Sequence, residues 1–593
     1  MYNKRLLSRA IFISITFVLL TSNISFADIT VEKGEISTNT EIKKKYTIDD
    51  FYKILENSPL YTTPRNPYEQ KNYVNKLGII ANQNRNQKDI QYQYHKNLAF
   101  YNSENWDRQG TIAELEIAKK YINNDFYENL HFYDQLARSY TEAWDFDNAA
   151  LAYKNVHKIM NQNKNLLETH QIINDYVSRM YFHLGKGELE RVFALYKEGK
   201  NILDNKEEKN LELEINLNEP IIQYYFITND LKNIKKSINY HMELAEKTQN
   251  IILKDFALKQ YLNYYKMTND KANIQKTTKK LKKLNKEFSP KNNFEKTFIE
   301  IEKAEAYIFI SKKYEDDVKY ALEPAKYKKK AIKNAKLAEK YAKNAVILAE
   351  EYKDIAPTIY ALALQKTGMA TSKQGKLEET KAAMNKALEY YKKVDKSICS
   401  YFLFDSRLYF GAAYKDLGEY DKAIKEFNLL EKDLNKVLKN PFLEHMRLYH
   451  HMAETYSKMN KEKEAIKYID KEIKVSTDNF GADSIRTIDA YKTKVELYEN
   501  LGLQEKAVKE AKELLFKTKK AVNAPTYDIE FECYFLLAKD YLAKGKLDDA
   551  LANASKALKT AYTESNKDEA NKLISKIYKQ QGETLKSLKY KLK

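Results

Sequence analysis

The sequence predicts an all-α protein, an α-solenoid in which about eleven antiparallel helix pairs stack one on the next. Two observations predict this fold. The 593 residues include only 14 Gly and 9 Pro, so tight turns and long loops are scarce. In the carboxy-terminal half, small residues, tyrosines and turn glycines recur about every 42 residues. A chain of this length would otherwise divide into several globular domains, whereas a repeat array can extend because each unit packs only on its neighbours.

The first 27 residues are predicted to be an export signal. Lys4 and Arg5 precede an apolar stretch over residues 10–20, and Ala27 ends a run of small residues suited to signal peptidase. The apolar stretch is about half of the ~20 residues needed to cross a bilayer. Cleavage before Asp28 is therefore favoured over a retained anchor, and a periplasmic or secreted protein is expected.

A mobile leader is predicted over residues 28–88, because Pro59, Pro64 and Pro67 lie among Asn and Gln without periodicity. One short helix is expected inside it, around residues 49–56. The rest of the chain is predicted to comprise an amino-terminal sub-array (89–323), a long basic helix (324–356) and a carboxy-terminal sub-array (357–593).

The repeat is clearest after residue 404, where a small residue, a tyrosine three positions later, a turn glycine and a second helix follow in order. Small residues such as Ala453 and Ala465 are expected where two helices cross, since bulkier ones would push the axes beyond ~8 to 10 Å. Glycines such as Gly418 end the first helix where a left-handed residue is favoured. The anchor tyrosines of these units are Tyr414, Tyr456, Tyr498, Tyr541 and Tyr578.

The register is weaker upstream, although the period persists. Thr371 takes the anchor place before Gly375, and the step to it from Tyr307 is about 22 residues longer than the period. The excess lies near Pro324, which can begin a helix, so one long helix is predicted over residues 325–352, as an extra helix or an overlong second helix. The other upstream anchors are Tyr140, Tyr181 or His183, Tyr225 and Tyr265.

This pattern resembles the tetratricopeptide repeat (TPR), in which a small residue, a tyrosine, a turn glycine and an alanine occupy the same places. The unit here is about 42 residues rather than the usual 34, which is similar to the lengthened repeats of kinesin light chains. The linker over residues 479–484 is similar to the link of that variant but lacks its proline. The resemblance implies a right-handed superhelix whose first helices line a concave face that binds partners.

Carried over residue by residue, the resemblance nominates concave-face positions of mixed charge. Glu454 and Glu496 stand where some members place an Asn to clamp a terminal carboxylate, so an extended peptide or a helix of a folded partner is expected instead. The nominated residues are Lys415, Asp416, Arg447, His450, Glu454, Lys458, Lys492, Glu496, Glu499, Asn500 and Lys539.

A second candidate surface is a lysine strip in the predicted long helix, with Glu339 as its one intervening acid. The apolar side of the same helix is expected to pack on the array, and it comprises Ile332, Ala335, Ala338, Tyr341, Ala342, Ala345 and Ile347. The strip is either a solvated face or a contact for an anionic polymer, a membrane or, less favoured, nucleic acid. The net charge of +18 is given little weight, because the 47 Tyr and many Asn and Ile indicate a low-GC genome. The strip comprises Lys326, Lys328, Lys329, Lys330, Lys333, Lys336, Lys340 and Lys343.

No catalytic or phosphate-binding motif is present in the sequence, so no cofactor is expected. His445, His450 and His451 lack the spacing of three or four that a helical metal pair needs. Cys399 and Cys533 are expected to stay unpaired, since they lie three repeats apart. The sequence therefore predicts an extracytoplasmic protein-binding scaffold, with adhesion to an anionic surface as the alternative and an enzyme as a minor one.

Overall fold

The computed structural model describes residues 46–61, 66–105, 107–206, 210–248, 251–268, 292–318, 324–394, 401–521, 526–561 and 564–591, with single positions between 270 and 284. These residues form α-helices and short 3-10 turns, and no strand occurs among them, which confirms the all-α prediction. Within these ranges no helix is both long and apolar enough to cross a membrane. The predicted export signal lies outside the described residues.

Consecutive helices pair in antiparallel fashion along the chain and stack on the pairs before and after. In chain order the helices are α1 (Ile48–Glu56), α2 (Pro67–Gln83), α3 (Lys88–Glu104), α4 (Arg108–Ala118), α5 (Phe126–Glu142), α6 (Phe146–Gln162), α7 (Thr169–Lys186), α8 (Leu189–Asp204), α9 (Leu211–Thr228), α10 (Leu231–Lys247), α11 (Ile251–Met267), α12 (Asn293–Val318) and α13 (Pro324–Ala349). They continue as α14 (Pro357–Ser372), α15 (Leu377–Val394), α16 (Tyr401–Asp416), α17 (Tyr420–Val437), α18 (Leu443–Lys458), α19 (Glu462–Phe480), α20 (Ile485–Asn500), α21 (Gln504–Thr518), α22 (Tyr527–Ala543), α23 (Leu547–Thr560), α24 (Glu564–Gln580) and α25 (Thr584–Lys591).

In nine of the described pairs, the turn between the two helices contains a residue with positive φ, which lets the chain reverse within a few residues. Glycine takes this place in most of these pairs, but Trp144 (φ 60°), Asn229 (φ 56°) and Asn460 (φ 56°) take it in three. The carbonyl of the anchor residue then accepts a hydrogen bond from the N–H five residues later. These bonds confirm the upstream anchors Tyr140, His183, Tyr225, Tyr265 and Thr371.

The anchor predicted at Tyr307 is wrong, because α12 continues past it to Val318 without a Gly or Pro to stop it. Both α12 and α13 have 26 residues, whereas α14 has 16. The predicted long helix is therefore present as α13, an overlong second helix, but the first helix α12 is equally long, so the excess length is shared by both helices of one hairpin. α13 ends at Ala349, and a 3-10 turn precedes α14.

The prediction of a mobile leader over residues 28–88 is corrected for its described part. α1 agrees with the expected short helix, but α2 follows it and packs with it around Phe51, Leu77 and Ile80, each fully buried. Pro67 lies in the first turn of α2, where its missing N–H costs nothing, and Asn66 caps that helix. Pro67, which was interpreted as a sign of irregular chain, therefore begins a helix.

Close helix packing explains one of the small residues in the repeat. A Cβ built on Gly411 of α16 would lie 2.3 Å from Cε1 of Phe427 of α17. Real carbon atoms do not approach so closely, so this crossing requires glycine. The Phe427 ring is fully buried and fills the space that the missing side chain leaves.

The amino-terminal helices also contact helices about six to seven repeats later in the chain. These contacts follow the same order along the amino-terminal segment and along the later segment. The two segments of the solenoid therefore pack side by side and run in the same direction. The contacts are Tyr68 Oη to the Glu351 carbonyl (2.6 Å), Asp147 to Lys439 (2.8 Å), the rings of Trp144 and Phe404 (centroids 6.1 Å apart), Gly187 against Phe442, and the Phe226 and Ile227 carbonyls to Arg486.

Candidate partner-binding groove

Ion pairs connect the first helices of successive pairs along one face of the solenoid, from α12 to α18 and again from α20 to α22. Residues one repeat apart on neighbouring first helices lie side by side, so opposite charges at such places can meet. We call this face the groove. Its inter-repeat pairs are Glu305–Lys366 (3.3 Å), Lys373–Asp416 (2.8 Å), Asp405–Arg447 (2.7 Å), Lys415–Glu454, Lys492–Asp528 (3.4 Å), Lys492–Glu532 (3.0 Å) and Glu499–Lys539 (3.3 Å).

A five-residue cluster lies at the middle of the groove. The His450 ring is 3.4 Å from Glu472 and 3.5 Å from Glu454, while Lys415 contacts both Glu454 and the His451 ring. Desolvation disfavours the charged form of His450, but Glu472 and Glu454 outweigh it and raise its pKa to about 10. Desolvation and the nearby Lys415 lower the pKa of His451 to about 3. At neutral pH the first ring is therefore charged and its neighbour is neutral.

Asp489 on α20 keeps part of its surface accessible at the groove but is crowded by neighbouring groups, and it forms no ion pair with any described residue. The nearby Arg486 donates its hydrogen bonds to backbone carbonyls of α9 instead. Desolvation by the surrounding groove, followed by the like charge of Asp528, raises the pKa of Asp489 to about 7. The groove thus holds a carboxylate that its own chain does not neutralise.

Neither a family model nor a curated protein matches the sequence. Similar solved structures include BtubC (BKLC) from P. vanneervenii, at 16% identity and TM-score 0.32, covering 37% of this chain and 89% of that one. The Rap protein complexed with competence and sporulation factor is 13% identical, with TM-score 0.37 and coverages of 70% and 99%. The human IFIT1 dimer with m7Gppp-AAAA is 16% identical, with TM-score 0.35 and coverages of 76% and 93%. Nothing about the ligand of the groove follows from these values.

Most concave-face residues nominated from the sequence lie in these inter-repeat ion pairs. The charge of Glu496 also raises the pKa of Lys492, and Lys458 is exposed near Asp416, whose pKa it helps to lower. Asn500 is exposed at the end of α20. Sequence reasoning missed the partners, although opposite charges one repeat apart could have identified them. The paired residues among the nominated set are Lys415, Asp416, Arg447, Glu454, Lys492, Glu499 and Lys539.

The predicted lysine strip lies on the solvent side of α13, where all eight lysines are exposed. The expectation that Ile332 and Ile347 pack on the array is wrong, since they are 44% and 72% exposed. The alanines predicted on the packed side are buried, which confirms that part of the expectation, and such small residues let α13 pack closely on its neighbouring helices. These are Ala335, Ala338, Ala342 and Ala345.

His445 is buried rather than placed with the other two histidines. Its Nδ1 accepts from the Phe442 N–H (3.3 Å), and its Nε2 lies 3.0 Å from Asn435 Oδ1, so the ring caps the start of α18. Across the described part of the chain, no three His, Cys, Asp or Glu side chains are placed to hold a metal ion. Cys533 is buried, which raises the pKa of its thiol, and Cys399 lies outside the described residues.

Proposed function

We propose that this protein is an extracytoplasmic scaffold that binds a protein or peptide partner along the groove of its TPR-like solenoid. The ladder of inter-repeat ion pairs carries the proposal. It fixes charged side chains at repeated places on successive first helices, and a preorganised surface loses less side-chain entropy when a partner binds. Groups held in register along several repeats suit a ligand that is itself extended or helical.

The charges of the groove indicate what part of a partner would bind. Most of its cations and anions already pair within the chain, so they supply a polar surface rather than a net attraction. Asp489 forms no such pair with a described residue, and the carboxylate of Asp528 lies near it. A Lys or Arg side chain of the partner would offset this negative charge, and such complementarity favours specific association.

Site-specific photo-crosslinking tests the groove. A photoreactive residue at Lys458 or Lys539, both exposed at the groove, should form an adduct with one and the same partner in cells. Lys425 and Lys432, exposed on the second helix α17, serve as matched control positions that should not form it. The adduct at Lys539 should also weaken when Asp489→Lys is added. Equal labelling from the control positions would argue against binding in the groove.

The location outside the cytoplasm rests on the residues before Asp28, not on the helices. Basic residues followed by an apolar stretch and a small-residue site support cleavage. Intact-mass analysis of the protein from fractionated cells should find a chain that begins at Asp28 outside the cytoplasm. A full-length chain confined to the cytoplasm would overturn this part of the proposal and leave the binding part intact.

A further inference from the structure

The hairpin of α12 and α13 extends beyond the neighbouring helix pairs. Each of its helices has 26 residues against 16 in α14, a difference of about 15 Å of helix. The extension is tied together, because Ser311 Oγ donates to the Ala331 carbonyl (2.9 Å) and the rings of Tyr314 and Tyr327 lie 6.2 Å apart. It is therefore a firm projection from the solenoid surface.

One face of α13 carries lysines in regular helical register. Lys329, Lys333, Lys336 and Lys340 follow each other at alternating steps of four and three, which places them in one line about 17 Å long. All four are exposed, and none of them forms an ion pair with a described residue. The line continues into Lys343, whose ammonium is held by Glu339 and Glu379. The basic face is thus positive along most of the helix.

The acid within this segment does not neutralise the line. Glu339 is 8% exposed, and its carboxylate accepts from Lys376 and Gln374 of the next repeat (2.8 Å each) as well as from Lys343. These partners hold the pKa of Glu339 at about 2 despite the opposing effect of desolvation. The negative charge is directed toward the solenoid and the positive charges toward solvent.

Two exposed isoleucines lie beside the lysines. Ile347 continues the register of Lys336, Lys340 and Lys343, and is 72% exposed. Ile332, 44% exposed, lies on the edge of the same face. Lysines and aliphatic side chains on one helix face are typical of helices that lie in a membrane interface, where phosphates meet the cations and the acyl boundary takes the apolar groups. A soluble polyanion offers no apolar region in which the isoleucine side chains could be buried.

We propose that α13 docks this protein on an anionic phospholipid bilayer. The lysine line faces the headgroup phosphates, and Ile332 and Ile347 enter the boundary between headgroups and acyl chains. This surface is separate from the groove, so a partner bound in the groove would be held at the membrane. The inference does not rest on the proposed groove function, and either one can fail alone.

Vesicle flotation of the full chain tests the charge requirement. The protein should float with vesicles of equal parts phosphatidylglycerol and phosphatidylcholine, and not with phosphatidylcholine alone. Changing Lys329, Lys333, Lys336 and Lys340 to Gln should lower the partition coefficient by roughly several hundredfold, since each of the four lysines contributes about fivefold. The matched control neutralises four exposed lysines of α17, which lie among acids, and should bind as the unchanged protein does. These are Lys422, Lys425, Lys432 and Lys436.

A second variant separates lipid from other anions. Ile332→Ser together with Ile347→Ser keeps every charge and should reduce vesicle binding about tenfold or more, while weak binding to polyphosphate is unchanged. The proposal is overturned if the α17 control loses binding equally, or if the serine variant binds vesicles as the unchanged protein does. Circular dichroism and thermal unfolding should match for all variants, since every changed side chain is exposed.

Discussion

The guanidinium of Arg486, at the start of α20, donates hydrogen bonds to the backbone carbonyl of Ile227 and, at 2.9 Å, to that of Phe226. These carbonyls lie in the last turn of α9, where a helix leaves acceptors unsatisfied and its dipole favours a cation. Desolvation lowers the pKa of Arg486 to about 10, still well above neutral pH. A charged side chain thus joins segments about six repeats apart.

Replacing this side chain should loosen the contact between the two segments. In Arg486→Met the hydrogen bonds to the α9 carbonyls are lost, which should cost about 1.5 to 3 kcal/mol. Hydrogen exchange should quicken at the end of α9 and the start of α20. Lys439→Met is the control at the same contact, because its ion pair with Asp147 is 76% exposed on both sides and should contribute little. Similar exchange in both variants would contradict the role given to Arg486.

Gly187 supports the same contact through the absence of a side chain. Its φ is +74°, and a Cβ there would lie 2.7 Å from Cδ2 of Phe442. Gly502 has φ +70° with nothing within 4 Å of its Cβ position. Gly502→Ala should therefore cost only the backbone strain of about 1 kcal/mol, and Gly187→Ala about 1 to 3 kcal/mol more.

Denaturant unfolding of both glycine variants measures this difference. Adding Phe442→Leu should recover part of the loss in Gly187→Ala, since a smaller side chain gives the new methyl group room. The same change should not help Gly502→Ala, which lies far from the contact. Equal costs for the two alanine variants would show that the Phe442 ring moves aside freely.

The repeat could be predicted from the sequence because its determinants are local. Tyr541 and Gly545 lie within one turn of each other, the tyrosine carbonyl accepting the closing hydrogen bond and the glycine taking the positive φ. These two residue types therefore mark the end of the helix in the sequence itself. Trp144 occupies the turn position that glycine takes in other pairs, with φ 60°. It could not be recognised from the sequence, because positive φ is uncommon for residues other than glycine and tryptophan does not indicate it. Tyr307 failed as an anchor because the repeat spacing was extended into a segment that has no helix breaker.

The groove and the contacts between distant repeats were harder to predict. Seven of the nominated residues lie on first helices of the groove, but their pairing depends on which neighbour lies one repeat away. Arg486 was not singled out at all, because its contact with Ile227 depends on the curvature of the whole superhelix. Such curvature results from small rotations summed over many pairs, and no single residue encodes it.

His450 should make the stability of the protein depend on pH in the alkaline range. Its pKa is about 10 in the fold and about 6.5 in an unfolded chain, so the fold favours the charged ring. This stabilisation is complete below about pH 6.5 and is lost as the pH rises toward 10. The unfolding free energy of the unchanged protein minus that of His450→Gln should therefore fall over that interval.

His445 provides the control with the opposite sign. Desolvation lowers its pKa to about 4, so the fold favours the neutral ring. The difference between the unchanged protein and His445→Gln should fall as the pH drops from about 6.5 to 4, and stay level above that interval. A level difference for His450→Gln between pH 6.5 and 10 would show that Glu454 and Glu472 do not hold the ring charged.

Asp489 should act against folding at neutral and alkaline pH in the absence of a partner. Its pKa is about 7 in the fold and about 3.9 in an unfolded chain, so folding favours the protonated acid. Its contribution to stability is therefore greatest below pH 3.9 and declines as the pH rises through 7. Asp489→Asn removes this decline and should unfold at a higher temperature than the unchanged protein at pH 8, with little difference at pH 4.

Carboxyl-carbon NMR can measure the same titration directly. The midpoint of Asp489 should fall in Asp528→Asn, because that change removes the like charge which helps to raise it. It should fall further when a partner presents a Lys or Arg to the groove, since a cation favours the ionised carboxylate. Binding would then release a proton near neutral pH, and affinity would rise with pH. If Asp489→Asn were less stable than the unchanged protein at pH 8, the carboxylate would already be paired within the chain, and the groove would have no negative charge left to offer a partner.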